Sequence, residues 1–317
     1  MKRFIVKILL FVGIPSLSMI LAIIFAIVLP PETKVPSSYA SAYLAAGKQK
    51  DILLATVESP RIILVGGSSA AFGLDSQIIK DSLGLNPINV GLHAGLGLKY
   101  MLDNTYQYIK EGDIVVVAPE YIHFYLTYNW VSEELVQTFI KVDKQKIKLI
   151  NITLIKNSLP YIATMTSKSL RNIISTSAVE PIIYKALKFN EYGDYYGHWG
   201  VDYPDFSPYE LDITSYNQKV MRALRNFEKK IHKKGAMLYV SYPPYEGESF
   251  DLCIKSIKKI EQEYMRYGFA LLGTPERYRM ERSLMSNTPY HLNKNGAALR
   301  TELLIEDLKV AGIGRKI

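Results

Sequence analysis

The chain has 317 residues, of which 48% are hydrophobic and 21% charged, and this composition excludes an intrinsically disordered protein. A single cysteine, Cys253, excludes a disulfide framework and a cysteine-cluster zinc site, and the five histidines are too scattered to predict another metal site. The net charge of +8 comes from basic residues spread along the chain, which is typical of helix surfaces rather than of nucleic-acid binding. We therefore expect no cofactor, no metal and no nucleic-acid partner.

The N-terminal segment is apolar on every face. No charged residue occurs from Ile8 to Leu29, a run that is about 33 Å long as a helix and so sufficient to cross a bilayer. Lys2, Arg3 and Lys7 precede the run, which favours a cytoplasmic N-terminus over residues 1–7. A cleaved signal peptide is the alternative, but its apolar core is shorter. We predict a single-pass transmembrane anchor over residues 8–29 in the cytoplasmic (inner) membrane, with the C-terminal domain on the extracytoplasmic side.

Beyond the anchor, the pattern predicts a linker over residues 30–60, which opens with three prolines among small polar residues, and a folded domain over 61–317. Short apolar runs predict strands at 61–65, 88–90, 113–118, 236–241 and 269–272. Amphipathic stretches predict helices at 77–83, 98–110, 215–234, 249–267 and 296–310. This alternation predicts an α/β fold, a flavodoxin-like sandwich with a parallel sheet of about five strands. Residues 131–212 interrupt the alternation and are predicted to be an insertion over the sheet.

Residues with catalytic chemistry follow several of the predicted strands. Ser69 follows the first strand, Gly91 the second and Glu120 the third, while His291 precedes the last helix. Because ligands of open α/β sheets bind at the carboxyl ends of the strands, these residues are expected to meet. A serine beside a histidine is the arrangement of a nucleophile and its general base. The loop at Ser69 matches neither a phosphate-binding loop, which needs a lysine, nor a nucleophile elbow, which needs glycine at position 71.

These motifs resemble those of the SGNH (GDSL) hydrolase superfamily. Gly67-Ser68-Ser69 followed by Gly73 resembles the first block, with Ser68 in place of the usual aspartate. Asn89-Val90-Gly91 resembles the second block, and His291, followed by Gly296, resembles the last. The resemblance covers roughly residues 61–125 and 236–310 and not the insertion. It implies that Ser69 is the nucleophile, that His291 is the base, and that the backbone N–H groups of Ser69 and Gly91 form the oxyanion hole.

Residues 119–124 and 291–296 are most similar to one branch of that superfamily. This branch comprises membrane-anchored proteins of bacterial cell-envelope polysaccharide and acyl-transfer systems, the DltD-like proteins among them. The resemblance implies acyl transfer, with acetyl favoured, or ester hydrolysis on a cell-envelope or exported polysaccharide. It also implies a multi-pass membrane acyltransferase as a partner. The alternative is a catalytically degenerate domain that binds glycan or scaffolds a polysaccharide assembly complex.

Two positions depart from the superfamily pattern and leave the partner of His291 open. The aspartate usually found three residues before the histidine is replaced by Thr288, which follows Asn287, and Glu120 stands where an oxyanion-hole asparagine is usual. Either Glu120 or Asn287 can orient the imidazole. We favour Glu120, because a carboxylate also stabilises the imidazolium by charge. This choice predicts a large effect of Glu120→Gln and a mild effect of Asn287→Ala.

Four further residues are candidates for substrate binding. His93 and Tyr121 follow the second and third strands, and Tyr196 and Trp199 belong to an aromatic, glycine-rich stretch of the insertion. Aromatic faces suit the stacking of sugar rings, although the same residues can equally serve loop packing.

Overall fold

A four-stranded parallel sheet forms the centre of this α/β fold. The computed structural model describes residues 2–28, 43–174, 184–211 and 216–314. The strands of the sheet have the order β2-β1-β3-β4, and each neighbouring pair is parallel. Their bounds are β1 (Arg61–Val65), β2 (Asn86–Asn89), β3 (Ile114–Val117) and β4 (Met237–Val240). A separate two-stranded parallel ribbon consists of β5 (Tyr245–Glu246) and β6 (Arg279–Met280). This topology is compatible with a flavodoxin-like fold.

Helices cover both faces of the sheet. In chain order they are α1 (Lys2–Val28), α2 (Ala46–Thr56), α3 (Ser68–Ala71), α4 (Ser76–Leu83), α5 (Gly97–Tyr106), α6 (Glu133–Gln137), α7 (Ile152–Ile174), α8 (Gln218–His232), α9 (Gly247–Leu252), α10 (Ile254–Tyr267) and α11 (Lys294–Val310). The predicted helix over 249–267 is divided at Cys253 into α9 and α10. The predicted helices in the other four positions are confirmed, with ends that differ by a few residues.

Side chains alternate along β1 between the two faces of the sheet, and helices pack on each face, which gives three layers. All five residues of β1 are buried, because helices pack on both sides of it. Ile62 and Leu64 pack into a smaller apolar cluster on the side of α4 and α11, and Ile63 and Val65 pack into the larger cluster on the other side. After Arg61 at its start, the strand carries only apolar side chains until the chain leaves the sheet at Gly66. This places the first polar loop at the carboxyl end of β1.

The predicted fifth strand is wrong in extent. Residues 269–272 pair with β4 only through a single parallel bridge between Val240 and Leu271. Two backbone hydrogen bonds hold this bridge, from Val240 N–H to Ala270 and from Leu272 N–H to Val240, each 2.9 Å long. The segment lies between Gly268 and Gly273, whose φ angles of +69° turn the chain at both ends. Only four residues remain between these turns, so the ladder cannot extend.

The predicted anchor over residues 8–29 and the predicted linker over residues 30–60 lie only partly within the described residues. Helix α1 ends at Val28 and contains Pro15, whereas Leu29 and residues 30–42 of the predicted linker lie outside the described part. In the part of the chain that the structure describes, no helix is long and apolar enough to cross a membrane. The later part of the predicted linker holds α2, and Tyr43, Leu44 and Leu54 belong to the larger apolar cluster.

The insertion at 131–212 contributes both helices and a loop over the sheet. After α6, the chain forms a π-helical turn over Thr138–Val142 and a 3-10 helix over Lys144–Leu149, followed by α7. Residues 184–199 then cross the carboxyl edge of the sheet, where Tyr195 donates its backbone N–H to the carbonyl of Ala71 at 2.8 Å. Residues 175–183 of the predicted insertion lie outside the described residues. So do residues 212–215, which include the end of the predicted insertion and the first residue of the predicted helix after it.

Candidate active site

The loops after β1 and β3 meet at Ser69 and Glu120. The backbone N–H of Ser69 donates to Glu120 Oε1 at 2.8 Å, and the Ser68 hydroxyl donates to the same oxygen at 3.3 Å. Gly67 permits this approach, since a Cβ at that position would lie 2.5 Å from the Glu120 carboxylate. Strands β1 and β3 are neighbours in the sheet, and this adjacency brings the two loops together.

The Ser69 side chain is fully buried on the short helix α3. Among the described residues, its Oγ has no hydrogen-bond partner. A buried hydroxyl without a partner loses its hydrogen bonds to water and gains none in return, which costs stability. Such a group is therefore a candidate for function rather than for support of the fold.

The imidazole of His291 lies against the same helix. Its ring stacks on Phe72, with the ring centroids 4.1 Å apart and the planes 7° from parallel. Phe72 is the C-cap of α3 and follows Ser69 by three residues, so the predicted base packs against the end of the helix that carries the predicted nucleophile. No hydrogen bond joins them in the described part of the chain, because the Ser69 Oγ has no partner there.

Asn287 holds the imidazole from within the same loop. His291 Nδ1 is 3.0 Å from Asn287 Oδ1, and the Asn287 amide nitrogen donates to the hydroxyl of Tyr184. With the amide nitrogen engaged by Tyr184, the Oδ1 atom is the acceptor toward the ring. Nδ1 then carries the proton, and Nε2 keeps the lone pair that a general base needs. Burial, helped by the nearby His198 and His93, lowers the pKa of His291 to about 3, so the ring is neutral at pH 7.

Our preference for Glu120 as the partner of His291 is therefore wrong. The Nδ1 atom is bonded to Asn287, whereas Glu120 Oε1 accepts from the Ser69 backbone and Oε2 has no partner among the described residues. The physical reason is local. Asn287 and His291 lie in one loop before α11, whereas Glu120 follows β3 directly and reaches only the adjacent loop after β1.

Both backbone groups of the predicted oxyanion hole are already engaged. The N–H of Ser69 donates to Glu120, and the N–H of Gly91 donates to Asn89 Oδ1 at 2.9 Å. A substrate carbonyl can use these donors only after the side-chain oxygens have moved. The carboxylate of Glu120 also repels a negatively charged oxyanion at this position.

A buried polar network fixes the loop after β2. Asp194 of the insertion accepts from the Asn89 amide, the Ser76 backbone and the Ser76 hydroxyl, each at 2.8 Å. Lys50 Nζ donates to the Asn89 carbonyl at 2.8 Å, and burial lowers the pKa of Lys50 to about 7 against the opposing effect of Asp194. Burial also raises the pKa of Asp194. The network connects α2, the insertion and the loop that carries Gly91.

The predicted substrate-binding residues have different surroundings. His93 caps the 3-10 helix Ala94–Leu96 by accepting from the Gly95 N–H at 3.0 Å, and Tyr121 is fully buried with its ring edge-on to Tyr245. Tyr196 is 38% exposed, and Trp199 is half-buried beside it with a centroid separation of 6.4 Å. Of the four, Tyr196 is exposed, Trp199 and His93 are half-buried, and Tyr121 is buried.

Sequence reasoning missed several residues that build the site. Phe72, Tyr184 and His198 surround the imidazole of His291, and the centroids of Phe72 and His198 are 4.7 Å apart. The Nε2 atom of His198 is 2.7 Å from the carbonyl of Leu292, which follows His291, and burial lowers the pKa of His198 to about 4. The aromatic composition of the insertion indicated that it lies near the site, but no spacing in the sequence pairs these residues with His291.

In the described ranges, no group of three or more histidine, cysteine, aspartate or glutamate side chains could hold a metal ion. No protein-family model matches the chain, and no curated protein sequence is similar to it. The resemblance to the SGNH superfamily therefore depends on the sequence motifs alone.

Proposed function

We propose that the protein is an SGNH-like, membrane-anchored acyltransferase or esterase. It acts outside the cytoplasm on a cell-envelope or exported polysaccharide, with acetyl as the favoured acyl group. The observation that carries this proposal is the environment of His291, whose Nδ1 atom is bonded to Asn287 while its ring stacks on the helix of Ser69. The strand order β2-β1-β3-β4 supports it, because this order places the loops of Gly91, Ser69 and Glu120 side by side.

In the proposed reaction, Ser69 Oγ attacks the acyl carbonyl as His291 Nε2 takes the serine proton. The tetrahedral intermediate collapses to an acyl-serine, and His291 returns the proton to the departing alcohol. A sugar hydroxyl, or water in hydrolysis, then attacks the acyl-serine with the histidine again accepting the proton. The second intermediate collapses, the bond between the acyl carbon and Ser69 Oγ breaks, and His291 returns the proton to Ser69 Oγ. For the oxyanion to use the Ser69 N–H, Glu120 has to release it. A multi-pass membrane acyltransferase is the proposed supplier of acyl groups.

A second candidate function is glycan binding or scaffolding without catalysis. The observation that favours it is that the N–H groups of Ser69 and Gly91 are both bonded to side-chain oxygens of the protein itself. In this case the exposed Tyr196 and the adjacent Trp199 would carry the binding through stacking on sugar rings. Catalysis and binding are distinguished by the serine variant described in the Discussion.

The role of Asn287 gives a prediction about pH. Replacing Asn287 with aspartate puts a negative charge beside the imidazole and raises the pKa of His291 from its low value of about 3. Because the base must be neutral to accept a proton, activity is lost as the pH falls through this pKa. We expect the acidic limb of the pH–rate profile to move to higher pH in Asn287→Asp, as measured by kcat/KM over a pH range that extends below the pKa of about 3.

Asn287→Ala removes the bond that orients the ring and is expected to lower kcat/KM by about tenfold or more at every pH. Ser286→Ala is the matched control, because Ser286 bonds the carbonyl of His291 through its backbone N–H and not its side chain. An unchanged profile in Asn287→Asp would contradict the assignment of Asn287 as the partner of the base.

The proposed topology is tested with a reporter that is active only outside the cytoplasm. We expect alkaline phosphatase fused to the C-terminus to be active, because the basic residues Lys2, Arg3 and Lys7 precede the apolar segment. The same enzyme fused directly after Lys7 should be inactive. A mature protein whose N-terminus lies near Tyr43 would show that the segment is cleaved and not a retained anchor.

A further inference from the structure

An apolar groove opens in the insertion, and none of the candidate active-site residues lines it. It has a volume of about 300 Å³ between the π-helical turn, the 3-10 helix and α7. Its lining is almost entirely aliphatic or aromatic and includes Phe139, Ile140, Ile147, Ile150, Ile155 and Leu159. Large apolar side chains at its rim are exposed, since Ile147 is 63% and Ile155 49% accessible. An exposed apolar patch of this kind marks an interaction site.

The charges beside the groove are positive. Between residues 141 and 156 the sequence has five lysines and one acidic residue, Asp143. Lys144, Lys148 and Lys156 are exposed, whereas Lys146 is buried in an ion pair with Asp51. Long lysine side chains can lay their methylene groups along an apolar surface while their ammonium groups reach a more polar layer. This combination of apolar floor and cationic rim matches the acyl and headgroup layers of an anionic lipid bilayer.

The position of α1 indicates that a lipid bilayer fills the groove. Helix α1 lies against α7 and against the π-helical turn beside the groove. Its own apolar side chains are exposed, including Phe4, Leu9 and Phe11. The helix and two of the elements that line the groove are thus neighbours, so a bilayer that takes up α1 comes close to the groove.

We propose that this face, formed by the groove residues and Lys144, Lys148 and Lys156, inserts into the outer surface of an anionic lipid bilayer. Lipid acyl chains fill the groove, and the three lysines contact the phosphate groups. The folded domain is then held at the membrane by a second contact besides α1, and its orientation relative to the bilayer is restricted. The proposal rests on the proposed membrane anchor α1 and not on the catalytic function, since no residue of the candidate active site lines the groove.

The test measures the depth of single residues in a membrane. The full chain carries Cys253→Ser, which removes its one cysteine, and a nitroxide label on Ile147→Cys or Ile155→Cys. Val310→Cys is the matched control, because Val310 is an apolar residue with 89% exposure at the end of α11, across the sheet. The protein is placed in nanodiscs of phosphatidylcholine and phosphatidylglycerol, and collisions with oxygen and with a water-soluble nickel chelate are measured by electron paramagnetic resonance.

We expect the ratio of oxygen to nickel collisions to be several-fold higher at residues 147 and 155 than at residue 310. The triple variant K144E/K148E/K156E should reduce this difference, because it replaces attraction to anionic lipid with repulsion. Equal ratios at the three labelled positions would overturn the proposal. Dipolar broadening between labels at residue 147, without a raised oxygen ratio, would overturn it too and would show that a second copy of the chain occupies the groove.

Discussion

Ser69→Ala should abolish catalysis and leave the fold intact or more stable. The substitution removes the proposed nucleophile, and we expect kcat/KM for an acyl ester to fall by about 10³-fold or more. The Ser69 Oγ is buried and has no hydrogen-bond partner among the described residues. Its removal therefore relieves an unfavourable burial, and the free energy of unfolding should stay the same or rise by about 1 kcal/mol.

Ser68→Ala is the matched control on the same helix. Ser68 is only partly buried, and its hydroxyl makes one long bond of 3.3 Å to Glu120. We expect its activity to remain close to that of the unmodified protein, as measured by ester hydrolysis in vitro and by polysaccharide acylation in cells. If Ser68→Ala is the inactive variant, the position of the nucleophile is wrong. If neither variant changes acylation while glycan binding persists, the non-catalytic function is the correct one.

Asp113→Ala is expected to be the most destabilising of the substitutions considered. Asp113 and Arg61 form an ion pair in which both side chains are fully buried, with Arg61 Nε 2.7 Å from Asp113 Oδ1. Arg61 also donates to the carbonyls of Leu54 and Tyr108, so it joins α2 and the end of α5 to the start of β1. Removing the carboxylate leaves a buried guanidinium without its counter-charge, which costs about 3–5 kcal/mol.

The control for this effect is an ion pair at the surface. Asp251 bonds Arg279 at 2.7 Å, but its side chain is 61% exposed, and Asp251→Ala should change the free energy of unfolding by roughly 0–1 kcal/mol. Thermal unfolding followed by circular dichroism compares the two variants. Similar transition temperatures for Asp113→Ala and Asp251→Ala would show that the buried pair does not stabilise the sheet.

The main elements of the fold could be predicted from local sequence. Strands β1 and β3 form because their apolar, largely β-branched runs, which in β1 follow Arg61, suit a sheet buried on both faces. Helix α4 begins after Asp75, whose carboxylate accepts from the Gln77 N–H, and it ends at Gly84 in the left-handed conformation. The segment 269–272 has the same apolar character. The segment was predicted to be a full strand from this composition. It pairs with β4 only through one bridge, because the chain turns at both of its ends.

The candidate site could be predicted only in outline. The motifs around Ser69, Gly91 and His291 indicated which loops carry it, since loops at the carboxyl ends of parallel strands share one edge. The partner of His291 could not be predicted with the same rules. A carboxylate is the better partner by charge, but the fold directs Glu120 toward the Ser69 amide and leaves Asn287 beside the ring.

By itself, the sequence determined the alternation of strands and helices and the positions of the polar loops, because burial patterns and caps act over a few neighbouring residues. Only the tertiary structure decided which groups meet within the site. The insertion supplies Tyr184 and His198 to the surroundings of His291 from about a hundred residues away along the chain. Such contacts depend on how the whole chain packs against the sheet. A local sequence pattern cannot predict which distant residue a buried side chain will contact.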